Sequence, residues 1–267
     1  MESDLNKRLA ARLKGLRMDH EIRIMEVCGT HTTEFFRSGV KDLFPEKLVL
    51  VDGPGCPVCV TPNDYLDRAI EIGKQHRTVI ATFGDMIKVP SSYSSLAKEK
   101  AGGMDVRVVY SPMNALEIAE AEPGAEVMFL SVGFETTAPA EAVAILEAKK
   151  RGVKNFSLLS GNKLTPPAVE ALLTAQEVKI DGFILPGHVS AIIGAGAWRF
   201  ISERFGRPCV VSGFDAPDLI MGMLTLVDLV NKTKNETINQ YTRVVREERN
   251  LKALEILHRV FRPSDAH

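Results

Sequence analysis

Four cysteines occur in this 267-residue chain, and three of them keep company that suits soft-metal or redox chemistry. Cys56 and Cys59 lie in Asp52-Gly53-Pro54-Gly55-Cys56-Pro57-Val58-Cys59-Val60-Thr61-Pro62. A Cys-x-x-Cys pair after a strand and at a helix start can cycle between dithiol and disulfide. The helix N-terminus would favour the thiolate of the first cysteine. Pro57 stiffens the loop, while Gly53 and Gly55 permit backbone shapes that other residues resist. Half of a structural zinc site is the plainer alternative, but it needs two more ligands and no second Cys-x-x-Cys exists. Inert packing is the other. Cys28 stands in Cys28-Gly29-Thr30-His31, directly after the strand-like run Ile24-Met25-Glu26-Val27. Its thiolate would bind a soft metal, and His31 would ligate, shuttle a proton or lower the thiol pKa. The competing reading is a small buried residue. Cys209, in Pro208-Cys209-Val210-Val211, reads as core.

Other loops carry polar groups beside glycine: Thr82-Phe83-Gly84-Asp85, Gly133-Phe134-Glu135-Thr136-Thr137, Pro186-Gly187-His188-Val189-Ser190 and Gly213-Phe214-Asp215. Singly, Thr136, Thr137 and Ser190 read as helix N-caps and His188 as a structural histidine. As a set, Asp85, Glu135, Thr136, Thr137 and His188 read as groups surrounding an anionic or metal-bound ligand.

The elements that must position these residues alternate short β-rich runs with helical stretches, the pattern of parallel sheets covered on both faces. The expected strands are Ile22–Val27, Leu48–Val51, Thr78–Thr82 and Val106–Tyr110, then Val127–Val132, Phe156–Leu159, Gly182–Leu185 and Cys209–Val211. Corresponding strands are offset almost constantly: Val27 to Val132 is 105 residues and Val51 to Leu159 is 108. The fold class that follows is α/β, with two similar Rossmann-like parallel-sheet units, an internal duplication, facing across a cleft. One eight-stranded sheet is the alternative. The expected boundaries are 1–121 for the first unit with an N-terminal helix, 125–215 for the second, and 216–267 for a helical tail packing back on the first. A linker is expected at Ala121-Glu122-Pro123-Gly124, and tail helices at 218–232, 238–246 and 250–260. Loops at the carboxyl ends of parallel strands are where such folds bind ligands, and the unusual residues gather there.

Basic and acidic residues number 33 and 34, for a net charge of −1. That balance argues against nucleic-acid or anionic-membrane binding. No apolar run is long enough to span a bilayer, and the N-terminus reads as an amphipathic helix, so a cytoplasmic location is expected. There is no Walker loop, no Rossmann glycine fingerprint and no Gly-x-Ser-x-Gly elbow, so neither a nucleotide site nor a hydrolase is predicted.

Several of these segments together resemble the HypD family of [NiFe]-hydrogenase maturation proteins: Met25-Glu26-Val27-Cys28-Gly29-Thr30-His31-Thr32, Gly53 to Pro62, Phe83-Gly84-Asp85-Met86, Val109-Tyr110-Ser111-Pro112, Gly133 to Pro139, Pro186 to Ser190, and Asn239 to Val245. The likeness runs from about Met25 to Phe261 in the family's order. It implies a scaffold, not a conventional metabolic enzyme, that holds iron with a small HypC-type partner while two cyanides and one carbon monoxide are mounted on it. It further implies cyanide delivery by HypE- and HypF-type partners and transfer of Fe(CN)2CO to the hydrogenase large-subunit precursor. Cys28 would then be the iron-ligating thiolate, His31 its neighbour, and Cys56 with Cys59 the redox pair. The family also has a C-terminal four-cysteine region binding a [4Fe–4S] cluster, and this sequence stops before it. Asn162 stands where His is expected, Ser91 where Gly is expected, and Asp215 where Glu is usual. A plain thiol–disulfide oxidoreductase and a degenerate partner-binding paralogue are the alternative functions.

Overall fold

The computed structural model describes residues 2–175 and 179–264. Its strands are β1 (Ile22–Glu26), β2 (Leu48–Asp52), β3 (Thr78–Thr82), β4 (Asp105–Val108), β5 (Glu126–Ser131), β6 (Phe156–Ser160), β7 (Gly182–Pro186), β8 (Cys209–Ser212) and β9 (Thr237–Asn239). The helices are α1 (Glu2–Lys14), α2 (Gly29–Arg37), α3 (Asn63–Gly73), α4 (Leu96–Ala101), α5 (Pro112–Ala121), α6 (Ala138–Arg151), α7 (Thr165–Ala175), α8 (Gly187–Ile193), α9 (Arg199–Phe205), α10 (Ala216–Asn231) and α11 (Leu251–His258). The strands form two wholly parallel sheets, one ordered β2-β1-β7-β8-β9 and the other β4-β3-β5-β6. The α/β class with two parallel-sheet units is therefore the observed one.

The units are not the sequential halves expected. One comprises Met1–Cys56 with Leu164–Asn250, and the other Pro57–Lys163 with Leu251–His267. The chain stays within the second unit at the expected Ala121–Gly124 linker, where α5 simply turns into β5. The cause is strand pairing: β1 takes β7 as its neighbour and β3 takes β5. If β1 to β4 are matched with β5 to β8, the order β2-β1-β7-β8 corresponds to β6-β5-β3-β4. Each sheet thus combines the first two strands of one half with the last two of the other, and the repeat survives as an exchange.

Local chemistry accounts for the elements. β3 (Thr-Val-Ile-Ala-Thr), β7 and β8 are buried throughout, as strands covered on both faces require. In the first unit, apolar residues of α1, α2 and α10 cover one face of the sheet, while α8, α9 and Trp198 cover the other. In the second, α5 and α6 lie on one face, α3 and α4 on the other. Pro139 in its first turn and Gly152 at φ 72° bound α6, the usual start and stop residues. The tail departs from expectation in two places. Residues 238–246 are not a helix, because Thr237–Asn239 pairs in parallel with β8 and turns follow. Of the other tail elements, α10 packs on α1 within the first unit and α11 on α6 within the second.

Candidate functional site

The site is assembled in the first unit, where β1, β2, β7 and β8 all end toward the same edge of one sheet. Glu26 is the last residue of β1 and only 1% exposed. Its Oε2 accepts the Cys28 amide at 2.7 Å, and its Oε1 accepts the Thr32 hydroxyl. Burial pushes the Glu26 carboxyl up to about 7, against the lowering effect of its Thr32 and Cys28 hydrogen bonds. Cys28 then caps α2 in an extended conformation, φ −162°. Burial raises its thiol pKa, while the N–H groups of His31 and Thr30, facing the sulfur, oppose the rise. These first-turn donors make the place one where a thiolate is accommodated once a cation shares it.

The imidazole at the sulfur is that of His188. Its Nε2 lies 3.5 Å from Cys28 Sγ, brought there by β7 and the start of α8. His31, expected as the neighbour, is fully buried one turn into α2, and its Nε2 is 3.0 Å from the Gly213 carbonyl. Burial lowers the His31 pKa to about 4, and burial lowers that of His188 too. Phe214, at the tip of β8, sits beside both rings. His188 stacks on it at 4.6 Å and 7°, and His31 leans on it at 4.7 Å and 33°.

The loop after β2 is nested against Cys28. Gly53 N–H donates to Glu26 O at 2.8 Å, and Gly29 N–H donates to Gly55 O at 3.3 Å. A Cβ on Gly55 would stand 2.3 Å from the Cys28 nitrogen, so only glycine permits this approach. Cys56 follows, half-buried, and Cys59 is exposed. Cys56 closes the first unit and Cys59 belongs to the second, so the boundary between the units runs through the pair. The pair does not start a helix as expected. It occupies turns, Thr61 Oγ1 tying back to Pro57 O at 2.8 Å, and α3 begins only at Asn63. The cysteine at a helix start is Cys28.

Asp85, Glu135, Thr136 and Thr137 stand in the second unit, at the ends of β3 and β5. Asp85 and Thr136 are exposed, Thr137 is half-buried and Glu135 is buried. Thr137 is the N-cap residue of α6, its hydroxyl bonded to Phe134 O at 3.2 Å. Close by, fully buried Glu141 accepts Ser131 Oγ at 2.6 Å and Asn162 Nδ2 at 2.5 Å. Burial raises its pKa. Asn162 thus supplies donors to Ser131 and Glu141 together. Cys209 is core, as expected: it is buried, bonded to Thr237 Oγ1 at 3.1 Å, and its thiol is pushed up to about 12.

Glu26, Phe214 and Tyr241 were not singled out from sequence. A charged residue closing an otherwise apolar strand beside Cys28 was the available signal for Glu26. Among the described residues no three His, Cys, Asp or Glu side chains converge as a ready metal cage. Nor is any described helix long and apolar enough to cross a membrane.

Comparison with known proteins agrees with the motifs. The profile of the "Hydrogenase formation hypA family" (HypD) matches residues 4–267. Hydrogenase maturation factor HypD2 of Bradyrhizobium diazoefficiens is 42% identical over 91% of the chain and 66% of its own length. Hydrogenase maturation factor HypD of Escherichia coli is 42% identical over 91% of the chain and 65% of its length. For that of Cupriavidus necator the values are 40%, 98% and 72%. The chain therefore spans about two thirds of the length of such relatives.

Proposed function

Because the chain belongs to the HypD hydrogenase-formation family, we propose that it serves as a cytoplasmic scaffold on which the Fe(CN)2CO group of a [NiFe]-hydrogenase is assembled. Iron is the cargo, held through the Cys28 thiolate together with a small HypC-type partner. Cys56 and Cys59 act as the redox pair, exchanging two electrons and two protons between dithiol and disulfide. Cyanide comes from HypE- and HypF-type partners, and the finished group passes to the large-subunit precursor.

One observation carries this reading: a buried cysteine at a helix start, flanked by first-turn N–H groups and an imidazole, with no three metal-ligating side chains converging among the described residues. A single thiolate is a poor resident metal site but a reasonable half of a shared one, since low-valent iron with strong-field ligands prefers sulfur. Asp85, Glu135, Thr136 and Thr137 are proposed as ligand-attending groups within the second unit, and His31 as a support for the Cys28 helix within the first.

The test is anaerobic co-expression with a HypC-type partner, followed by infrared spectroscopy and metal analysis. Bands of bound carbon monoxide and cyanide are expected with the unsubstituted chain and should vanish in Cys28→Ala. Bands that persist in Cys28→Ala, or a competent complex that never shows them, would overturn the assignment.

A further inference from the structure

Resting on the reading of Cys28 as the working thiol, we propose that Phe214 is a positioning residue that fixes the His188 ring against Cys28 Sγ, and that Tyr241 holds Phe214 in place. His188 is half-buried and its ring is free to rotate about two torsions unless something blocks it. Phe214 supplies the block, its face lying 4.6 Å from the imidazole and within 7° of parallel. Tyr241 stands edge-on behind Phe214, at 6.2 Å and 89°.

Tyr241 has its own seat. A Cβ on Gly187 would come within 2.5 Å of the tyrosine ring, and one on Gly213 within 2.7 Å. Both glycines adjoin the residues at issue, Gly187 preceding His188 and Gly213 preceding Phe214. At Gly187 the ring and the Ser212 carbonyl both exclude a side chain, and at Gly213 the Asp218 carboxylate does so more closely than the ring. On its outer side the Arg243 guanidinium covers Tyr241 at 4.4 Å, anchored to Asp218 at 2.5 Å. The row Arg243, Tyr241, Phe214, His188, Cys28 lies wholly within the first unit. Phe214 stands outside the buried core clusters, so core filling does not account for its place.

The chemical consequence is directional. An Nε2–H held toward sulfur stabilises the thiolate, and thiolate is the form that reacts with alkylating agents and with metal. The experiment uses the full chain, reduced and iron-free, near neutral pH, with iodoacetamide as probe and site-resolved mass spectrometry of Cys28 as readout. Phe214→Leu and His188→Ala should each slow Cys28 alkylation about tenfold, the worth of one hydrogen bond to a charged group. Phe214→Tyr, which keeps the stacking face, should restore the unsubstituted rate. The double variant Phe214→Leu/His188→Ala should be no slower than His188→Ala, because Phe214 acts only through that ring. The proposal is overturned if Phe214→Leu reacts at or above the unsubstituted rate, if Phe214→Tyr fails to rescue, or if the two losses multiply. Should Phe214→Leu not fold, ring protons of His188 in the unsubstituted chain still decide the matter. Upfield ring-current shifts in its NMR spectrum support the stack, and ordinary positions overturn it. Because no iron enters either measurement, the outcome is independent of whether the scaffold reading holds.

Discussion

Glu26 and His31 lie on either side of Cys28 and respond oppositely to pH. Burial lifts Glu26 from the usual 4.5 to about 7, so between those values the folded chain holds a proton that the unfolded chain has lost, and stability falls as pH rises. Burial drops His31 from 6.5 to about 4, so the folded chain lacks a proton the unfolded chain carries, and stability falls as pH drops through that window. From pH 4.5 to 6.5 the two slopes offset each other. Glu26→Gln should therefore uncover a loss of stability on acidification, on the order of 3 kcal/mol in all, read from urea unfolding at stepped pH. A second prediction concerns Asn162, whose amide donates to buried Glu141. Asn162→Asp sets two carboxylates together without water and should cost about 3 kcal/mol in the same assay. At this scale the place of Cys28, between a strand end and a helix start, was legible because its motif is local. Sequence reading chose His31 over His188 because three residues of separation suggest proximity. In a helix, however, that spacing turned the ring onto the Gly213 carbonyl, and the imidazole at the sulfur is 160 positions away.

Elements were easier to read than their partners. All eight expected strands exist, with ends shifted by at most two residues, since β-branched runs bounded by glycine and proline leave little choice. β9 overlaps the start of the helix expected at 238–246, where Ile238, Tyr241, Val244 and Val245 stand at helical spacing. Pairing with β8 overrode that pattern. The contact between the loops after β1 and β2 follows from glycine at 55, and it yields a sharp prediction. Gly55→Ala must move the Cys28 backbone, and should lower unfolding free energy by about 3 kcal/mol. It should also expose Cys28, seen as faster modification by a bulky maleimide. An alanine variant with unchanged stability and labelling would mean the loops are not nested.

For the whole molecule, the constant offset of about 105 residues between halves correctly signalled repetition, yet it could not say which strands would pair. Hydrophobic pattern fixes which face a strand buries, whereas its neighbour is chosen by the path of the crossover. One test follows from α11, which comes last in the chain yet packs on α6 in the middle. Truncation after Asn250 should speed amide hydrogen exchange in α6 and leave β7 and β8 at their original rates. Uniform acceleration would show that the two units share one cooperative transition.

The exchange of strands also sets an order of events during synthesis. Ile22–Asp52 leaves the ribosome first, yet β1 has no neighbour on its inner side until β7 arrives. Meanwhile β3 to β6 can zip together in sequence, so the later-starting sheet closes earlier. At translation speeds of about 5–20 residues per second, the 160 residues between Cys28 and His188 take about 8–30 seconds. For that interval a nascent chain carries the sulfur without the imidazole that later lies beside it.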